Sequence, residues 1–262
     1  MPLEPLSPAA FALIARVAES YAGLMQSAPG LGGKLLYAGE LDEPGRAIVV
    51  AANIAGAATL AASADQSARK QAMRDGIVDF LVTSLDEALR ILKNQIRRRE
   101  TVAVCVGAGG NVVEHEMRER GVAPDLVFPG SPGNLFDSFQ SPARVLEAPA
   151  ATGKENQTWL TWRVESSPAA WLPKLDAIAL ECLPPEDAQA RRWLERAPRY
   201  LGRLAQNLRV LRTTEEFANR FLAQIENGLA SGAIGVPVEI IFGPGDHPRT
   251  LLLAPGRLTT DH

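Results

Sequence analysis

AANIAGAATLAASADQSARKQAMRDGIVDFLVTSLDEALRILKNQIRRRETVAVCV, residues 51–106, sets three short apolar runs, at 58–63, 77–82 and 101–106, between segments of helical periodicity. This alternation predicts a doubly wound, mostly parallel sheet. The segment ending at Gly56 is rich in alanine and almost uncharged, which predicts a helix lying close to the sheet. Asp65 caps a polar helix that stops near Asp75-Gly76, where glycine accepts the left-handed conformation. Ser84 and Glu87 form a capping box, and Leu85, Ala88, Leu89, Leu92 and Ile96 make one apolar stripe behind it. A sheet of this kind places ligands beyond the carboxyl ends of its strands, so the loops after the strands are the candidate site.

The pattern extends outward on both sides. Ser7 and Pro8 read as the cap and first position of a helix with Phe11, Ile14, Ala15, Ala18, Tyr21, Leu24 and Met25 on one face. A strand at 34–38, a polar loop at 39–45 and a helix from about Arg46 lead into the central stretch. After it come a helix at 111–120, with Val112, Val113 and Met117 inward, and a strand at 125–128. From Pro129 turn formers replace periodicity, and a further strand at 144–147 belongs to the same sheet. The linker at 149–156 divides the chain into residues 1–150, Rossmann-like with an N-terminal helix, and residues 151–262, a smaller α+β part. The latter reads as a strand at 158–165, helices at 168–183 and 185–207, the second broken at Pro198, a strand at 208–211, a helix capped by Thr213 and Glu216, and a hairpin of 236–242 with 250–253.

Composition excludes several classes. Hydrophobic residues at 46% and charged residues at 22% belong to an ordinary globular protein, and no apolar run approaches the ~20 residues of a spanning helix. The amino-terminal segment lacks a basic n-region, so a cytoplasmic protein without a membrane anchor is expected. A net charge of −3 offers no field for nucleic acid. Two cysteines, Cys105 and Cys182, and three scattered histidines, His115, His247 and His262, suggest neither a disulfide framework nor a metal site. Gly153-Lys154 lacks the phosphate-loop spacing.

Three phrases carry a resemblance: RDGIVD at 74–79, SLDEAL at 84–89 and RERGVAPDLV at 118–127. With the Gly32-Gly33 lead into a strand and the Ala-rich helix, they occur in the order seen in the central NAD-binding Rossmann-like domain of urocanases, which the chain resembles over about residues 32–127. Urocanases hydrate urocanate with tightly held NAD acting as an electrophile, so the resemblance implies an NAD-type fold and, for any enzyme, hydro-lyase-like chemistry. Their glycine-rich NAD loop corresponds to Ala38-Gly39-Glu40-Leu41-Asp42-Glu43-Pro44-Gly45-Arg46, which keeps Gly39 and Gly45 and adds three carboxylates that repel a pyrophosphate, with Arg46 to offset them. The family's ribose-binding acid falls at Ser63, with Asp65 two residues on, and its G-N-A falls at Gly107-Ala108-Gly109. Its segment after P-D-x-V falls at 130–134, which contains Ser131.

The candidate cofactor or anion site is therefore Gly39, Gly45, Arg46, Ser63, Asp65, Gly107, Gly109, Gly110, Asn111 and Ser131. Its best feature is the glycine-rich turn at 107–110, which presents backbone N–H groups at a helix start. No catalytic residue is named. The leading reading is a urocanase-like protein that binds a dinucleotide or other anionic small molecule and does not hydrate urocanate. Two alternatives stay open. One is a small-molecule enzyme with a rebuilt site that uses Asp246, His247 and Arg249; the other is an interaction protein forming a homo-oligomer.

Overall fold

A computed structural model describes residues 8–28, 30–128, 144–145, 157–243 and 249–255. By contacts, the chain divides into one unit within residues 15–150 and another made of residues up to 14 and from 151 onward.

The first unit is built on a six-stranded parallel sheet. Its strands are β1 (Leu35–Glu40), β2 (Ala58–Ala62), β3 (Phe80–Val82), β4 (Val102–Val106), β5 (Leu126–Val127) and β6 (Arg144–Val145), in the order β3-β4-β2-β1-β5-β6. Every residue of β2 and β4 is buried, as continuous apolar strands covered on both faces must be. The chain runs into the sheet from α1 (Pro8–Ser27) and connects the strands through α2 (Glu43–Ala55), α3 (Gln66–Arg74), α4 (Leu85–Arg98) and α5 (Gly110–Glu119). One core layer unites Leu85, Ala88 and Leu92 of α4 and Val113 and Met117 of α5 with Tyr37, Leu60, Ala62, Val104 and Val127 of the sheet. Helix α2 packs against β1 and β2 outside that layer, as right-handed crossovers lead one to expect. There Asn53 donates to the Ile77 carbonyl at 3.0 Å.

Local signals account for the helix ends. Asp42 accepts from the Gly45 amide, Asp65 from those of Ser67 and Ala68, and Ser84 from that of Glu87. Capping by Asp42 starts α2 at Glu43, three residues earlier than the sequence suggests, because Glu43 and Pro44 suit a first turn. Strand β3 is shorter than the apolar run at 77–82, since Val78 is spent on packing before the ladder begins. Val112 points to solvent instead of inward, and the inner face of α5 is Gly110, Val113, Glu114 and Met117.

The second unit carries a four-stranded antiparallel sheet, β7 (Gln157–Arg163), β8 (Leu208–Thr214), β9 (Val238–Gly243) and β10 (Arg249–Leu253), in the order β10-β9-β7-β8. Its helices are α6 (Pro168–Cys182), α7 (Ala188–Leu201) and α8 (Glu215–Ala230). The helix expected to break at Pro198 does not. Helix α7 continues through Pro198 to Leu201 and passes into a 3-10 turn at Gly202–Ala205; the proline forfeits one intrahelical bond, which the burial of Trp193, Leu194, Ala197 and Leu201 on one face offsets. The terminal hairpin forms as β9 and β10, paired from Arg249 with Phe242 to Leu253 with Val238.

Candidate functional site

The turn at 107–110 leaves β4 and opens α5, as the sequence implies, but its anion position is filled from within. Glu40, the last residue of β1, accepts from the Gly110 amide through Oε2 at 2.8 Å. The contact depends on a bulge. The β1–β2 register slips between Tyr37 and Gly39, and Gly39 takes φ +76°, a conformation glycine adopts without a Cβ penalty. The slip pairs Glu40 with Ala62 and so puts it on the face of Tyr37, Ala62 and α5; unbroken alternation would turn it toward α2. Gly110 permits the approach, for a Cβ there would meet Glu40 Oε2 at 3.3 Å and the Tyr37 hydroxyl at 3.7 Å.

Glu114 lies beneath this contact. It is only 4% exposed, and its Oε1 has no hydrogen-bond partner. Burial pushes its carboxyl above the ordinary glutamate range, opposed by the neighbouring Tyr37 hydroxyl and the charge of Arg118 and reinforced by Glu40. Tyr37 donates to the Gly110 carbonyl at 3.2 Å, and burial followed by the charge of Glu114 raises its hydroxyl far above the usual range. An acid bound more tightly to its proton when folded stabilises the fold below its unfolded pKa, and that contribution is lost as pH rises through the folded value. Glu114→Gln, which never bears the buried charge, is therefore expected to raise the thermal midpoint relative to the native protein at neutral and alkaline pH. The two should converge below the ordinary glutamate range; melting curves across pH measure it.

The remaining candidates are dispersed. Gly45 gives its amide to Asp42 at 2.8 Å. Arg46 turns away from the loop it was expected to neutralise: its guanidinium donates to the Ala68 carbonyl at 2.9 Å and lies 3.7 Å from Asp75. The physical reason is proximity, since the start of α2 stands beside α3, whose carbonyl and carboxylate are nearer than the loop's own acids. Ser63 Oγ accepts from the Asp65 amide at 3.3 Å, and Asp65 spends Oδ1 on the Ser67 and Ala68 amides. Asn111 Oδ1 accepts from the adjacent Val112 amide at 2.9 Å, and Gly109 begins α5 without a side-chain cap. Ser131 lies outside the described residues, as do Asp246 and His247, whereas Arg249 is exposed on β10.

Three residues went unnoticed in the sequence as members of this edge: Tyr37, Glu114 and Arg69. Glu114 had a visible signal, since it adjoins Val113 on the inward side of a short helix. Arg69, one turn after Asp65 on α3, lays its guanidinium on Gly107, so that a Cβ there would fall 1.9 Å from Nη1. Its Nε is buried without a hydrogen-bond partner, and its guanidinium makes no ion pair among the described residues. Beneath it Cys105 is buried on β4, and burial pushes its thiol up to about 12, against the lowering charge of Arg69.

As folded, this edge does not fit a pyrophosphate at the 107–110 turn. The Gly110 and Gly45 amides are engaged by Glu40 and Asp42, and among the described residues no cation pairs with those two carboxylates. Among the described residues no group of three or more His, Cys, Asp or Glu is placed to hold a metal ion. No described helix is long and apolar enough to cross a membrane.

A parallel sheet wound on both faces, with its helix starts gathered at the strand ends, defines the first unit as a Rossmann-like domain. Residues 12–131 match the family model described as the urocanase Rossmann-like domain. Over these residues the chain is similar to the urocanase Rossmann-like domain, and the match extends beyond the 32–127 over which motifs are legible.

Proposed function

We propose that the Rossmann-like unit is a binding domain for a small phosphorylated, hydroxyl-bearing ligand of mononucleotide size, and that it does not hydrate urocanate through a tightly held NAD. The observation that carries this reading is Arg69, a guanidinium at the strand ends with a buried, unpartnered Nε. A partly desolvated cation without a counter-charge is costly, and an anion completes it. Asp65, one turn earlier on α3, uses only Oδ1 for capping, which leaves Oδ2 to accept from a ligand hydroxyl. The pyrophosphate of a dinucleotide gains little beyond the first phosphate, since Glu40 already holds the Gly110 amide.

Calorimetric titration of the full chain with AMP, NAD and orthophosphate tests this. AMP is expected to bind, with NAD no tighter, and Arg69→Ala is expected to weaken AMP by about tenfold or more, the loss of one charge-assisted hydrogen bond of about 1.5–3 kcal/mol. NAD binding that is tighter than AMP and indifferent to Arg69→Ala would place the ligand at the glycine turn and overturn the proposal. So would the absence of any AMP binding.

A further inference from the structure

Helix α7 and the start of the turn after it, residues 188–203, hold five arginines and one acid, in a chain whose acidic residues outnumber the basic ones by 30 to 27. One of the five serves the fold: Arg191 donates to the Leu183 and Pro184 carbonyls at 2.8 and 3.2 Å, just past the end of α6. The inner face of α7 is Ala190, Trp193, Leu194, Ala197 and Leu201, and Trp193 pins it by donating from Nε1 to the Val210 carbonyl at 2.7 Å. Arg192, Arg196 and Arg199, spaced four and three residues apart, therefore share the outer face, with Arg199 exposed and the other two partly so. Arg203 is exposed in the 3-10 turn beyond.

The charge of this face is not cancelled where it stands. Arg192, Arg199 and Arg203 form no ion pair with a described residue, and neither does Glu195, although it lies three residues after Arg192 and four before Arg199. Like charges one turn apart destabilise a helix. The macrodipole favours Arg199 near the carboxyl end but does nothing for Arg192 in the second turn. Arg199 is oriented by the Tyr200 ring, whose centroid lies 5.3 Å from its guanidinium carbon. We propose that this face of α7 docks a short acidic segment of a partner protein, with carboxylates at helical spacing against Arg192, Arg196 and Arg199. A guanidinium is weakly hydrated and can grip a carboxylate through two parallel bonds. Charge complementarity thus selects an anion, and the surroundings select a peptide. The row spans about 10 Å, two turns of a helix, whereas a nucleic acid carries its charge well beyond that length. The chain's net charge of −3 opposes such a polyanion, and Glu195 would meet its unbroken backbone; a peptide can set a neutral or basic residue there. None of the large exposed apolar residues lies on α7 to enter a lipid surface, among the described residues. The docking face is independent of the ligand proposed for the Rossmann-like unit.

Fluorescence anisotropy of the full chain with labelled alanine-based helical peptides tests this. The matched peptide carries three glutamates spaced at four and three residues, and the control has the same composition with the glutamates on different faces. The matched peptide is expected to bind several-fold tighter than the control and to weaken as salt is raised. Arg192→Gln and Arg199→Gln are each expected to weaken it by up to about fivefold, since glutamine keeps the helix and removes one ion pair. Arg192→Glu is expected to lose the matched peptide and to recover binding to one whose outer glutamate is replaced by lysine. Absence of binding, equal binding of the control, or indifference to both glutamine variants overturns the proposal. Tighter binding of single-stranded oligouridylate or of phosphatidylserine vesicles overturns it too, by assigning the face to a nucleic acid or to a membrane. The peptide comparison and the glutamine variants decide if Arg192→Glu fails to fold.

Discussion

Trp162→Ala is expected to destabilise the C-terminal unit by about 4–5 kcal/mol, near the upper end for removal of a large aromatic side chain. Trp162 sits one residue before the end of β7, fully buried, with its ring centroid 4.9 Å from that of Phe221 on α8. Its Nε1 donates to Asp176 Oδ1 at 3.2 Å, while Arg209 reaches the same carboxylate at 2.9 Å. Truncation opens a cavity and removes one of the interactions that compensate the burial of Asp176, whose carboxyl is raised by desolvation against the lowering effects of Arg209 and of Trp162 itself. Such a loss is comparable to the whole stability of many domains. Urea denaturation followed by circular dichroism should show it, and Trp162→Phe should recover most of the loss by restoring the ring contact. A cost below about 2 kcal/mol would mean that the sheet repacks around the gap.

Gly45→Ala is expected to be the most damaging small change in the Rossmann-like unit, at about 2 kcal/mol net. Two effects oppose each other. Alanine gains up to about 1 kcal/mol over glycine inside a helix. Against this, a Cβ at Gly45 would lie 1.9 Å from the Glu40 carbonyl oxygen and 3.0 Å from its carbon, both backbone atoms that move only with β1 or α2. Overpacking of this kind costs about 1–3 kcal/mol, and with backbone on both sides the upper end applies. The clash therefore wins, and the thermal midpoint should fall by roughly 4–8 °C. An unchanged midpoint would show that the start of α2 yields freely. Gly45 thus serves the fold: where the sequence suggests a glycine that lets backbone approach a pyrophosphate, the residue lets α2 approach the strand that carries Glu40. The clash at Gly107 is of another kind, since its neighbour is the far end of the flexible Arg69 side chain.

Much of the first unit was legible without coordinates because its signals are local. The capping of α3 by Asp65 and of α4 by Ser84 depends on residues within three positions, and the uninterrupted runs at 58–62 and 102–106 reflect burial on both faces. The turn at 107–110 was likewise found where it lies, between β4 and α5. The expected ends of α2 and β3 moved by a few residues because cap geometry and packing, which act between neighbours in space, set them.

The candidate site was legible as an address and not as an arrangement. Strand alternation, helix capping and the phrases at 74–79, 84–89 and 118–127 mark, from sequence alone, a Rossmann-like domain similar to that of urocanases, with its loops gathered at one edge. Only the tertiary structure decides who occupies that edge. A bulge at Gly39 changes the face on which Glu40 lies, and no periodicity reveals such a slip, because the added residue alters parity without altering composition. Strand order then brings Glu40 to Gly110, Arg46 to Ala68 and Arg69 to Gly107. Charges far apart in sequence choose partners by distance in the folded chain, which is why acids that seemed only to repel a ligand prove to close the helix starts themselves.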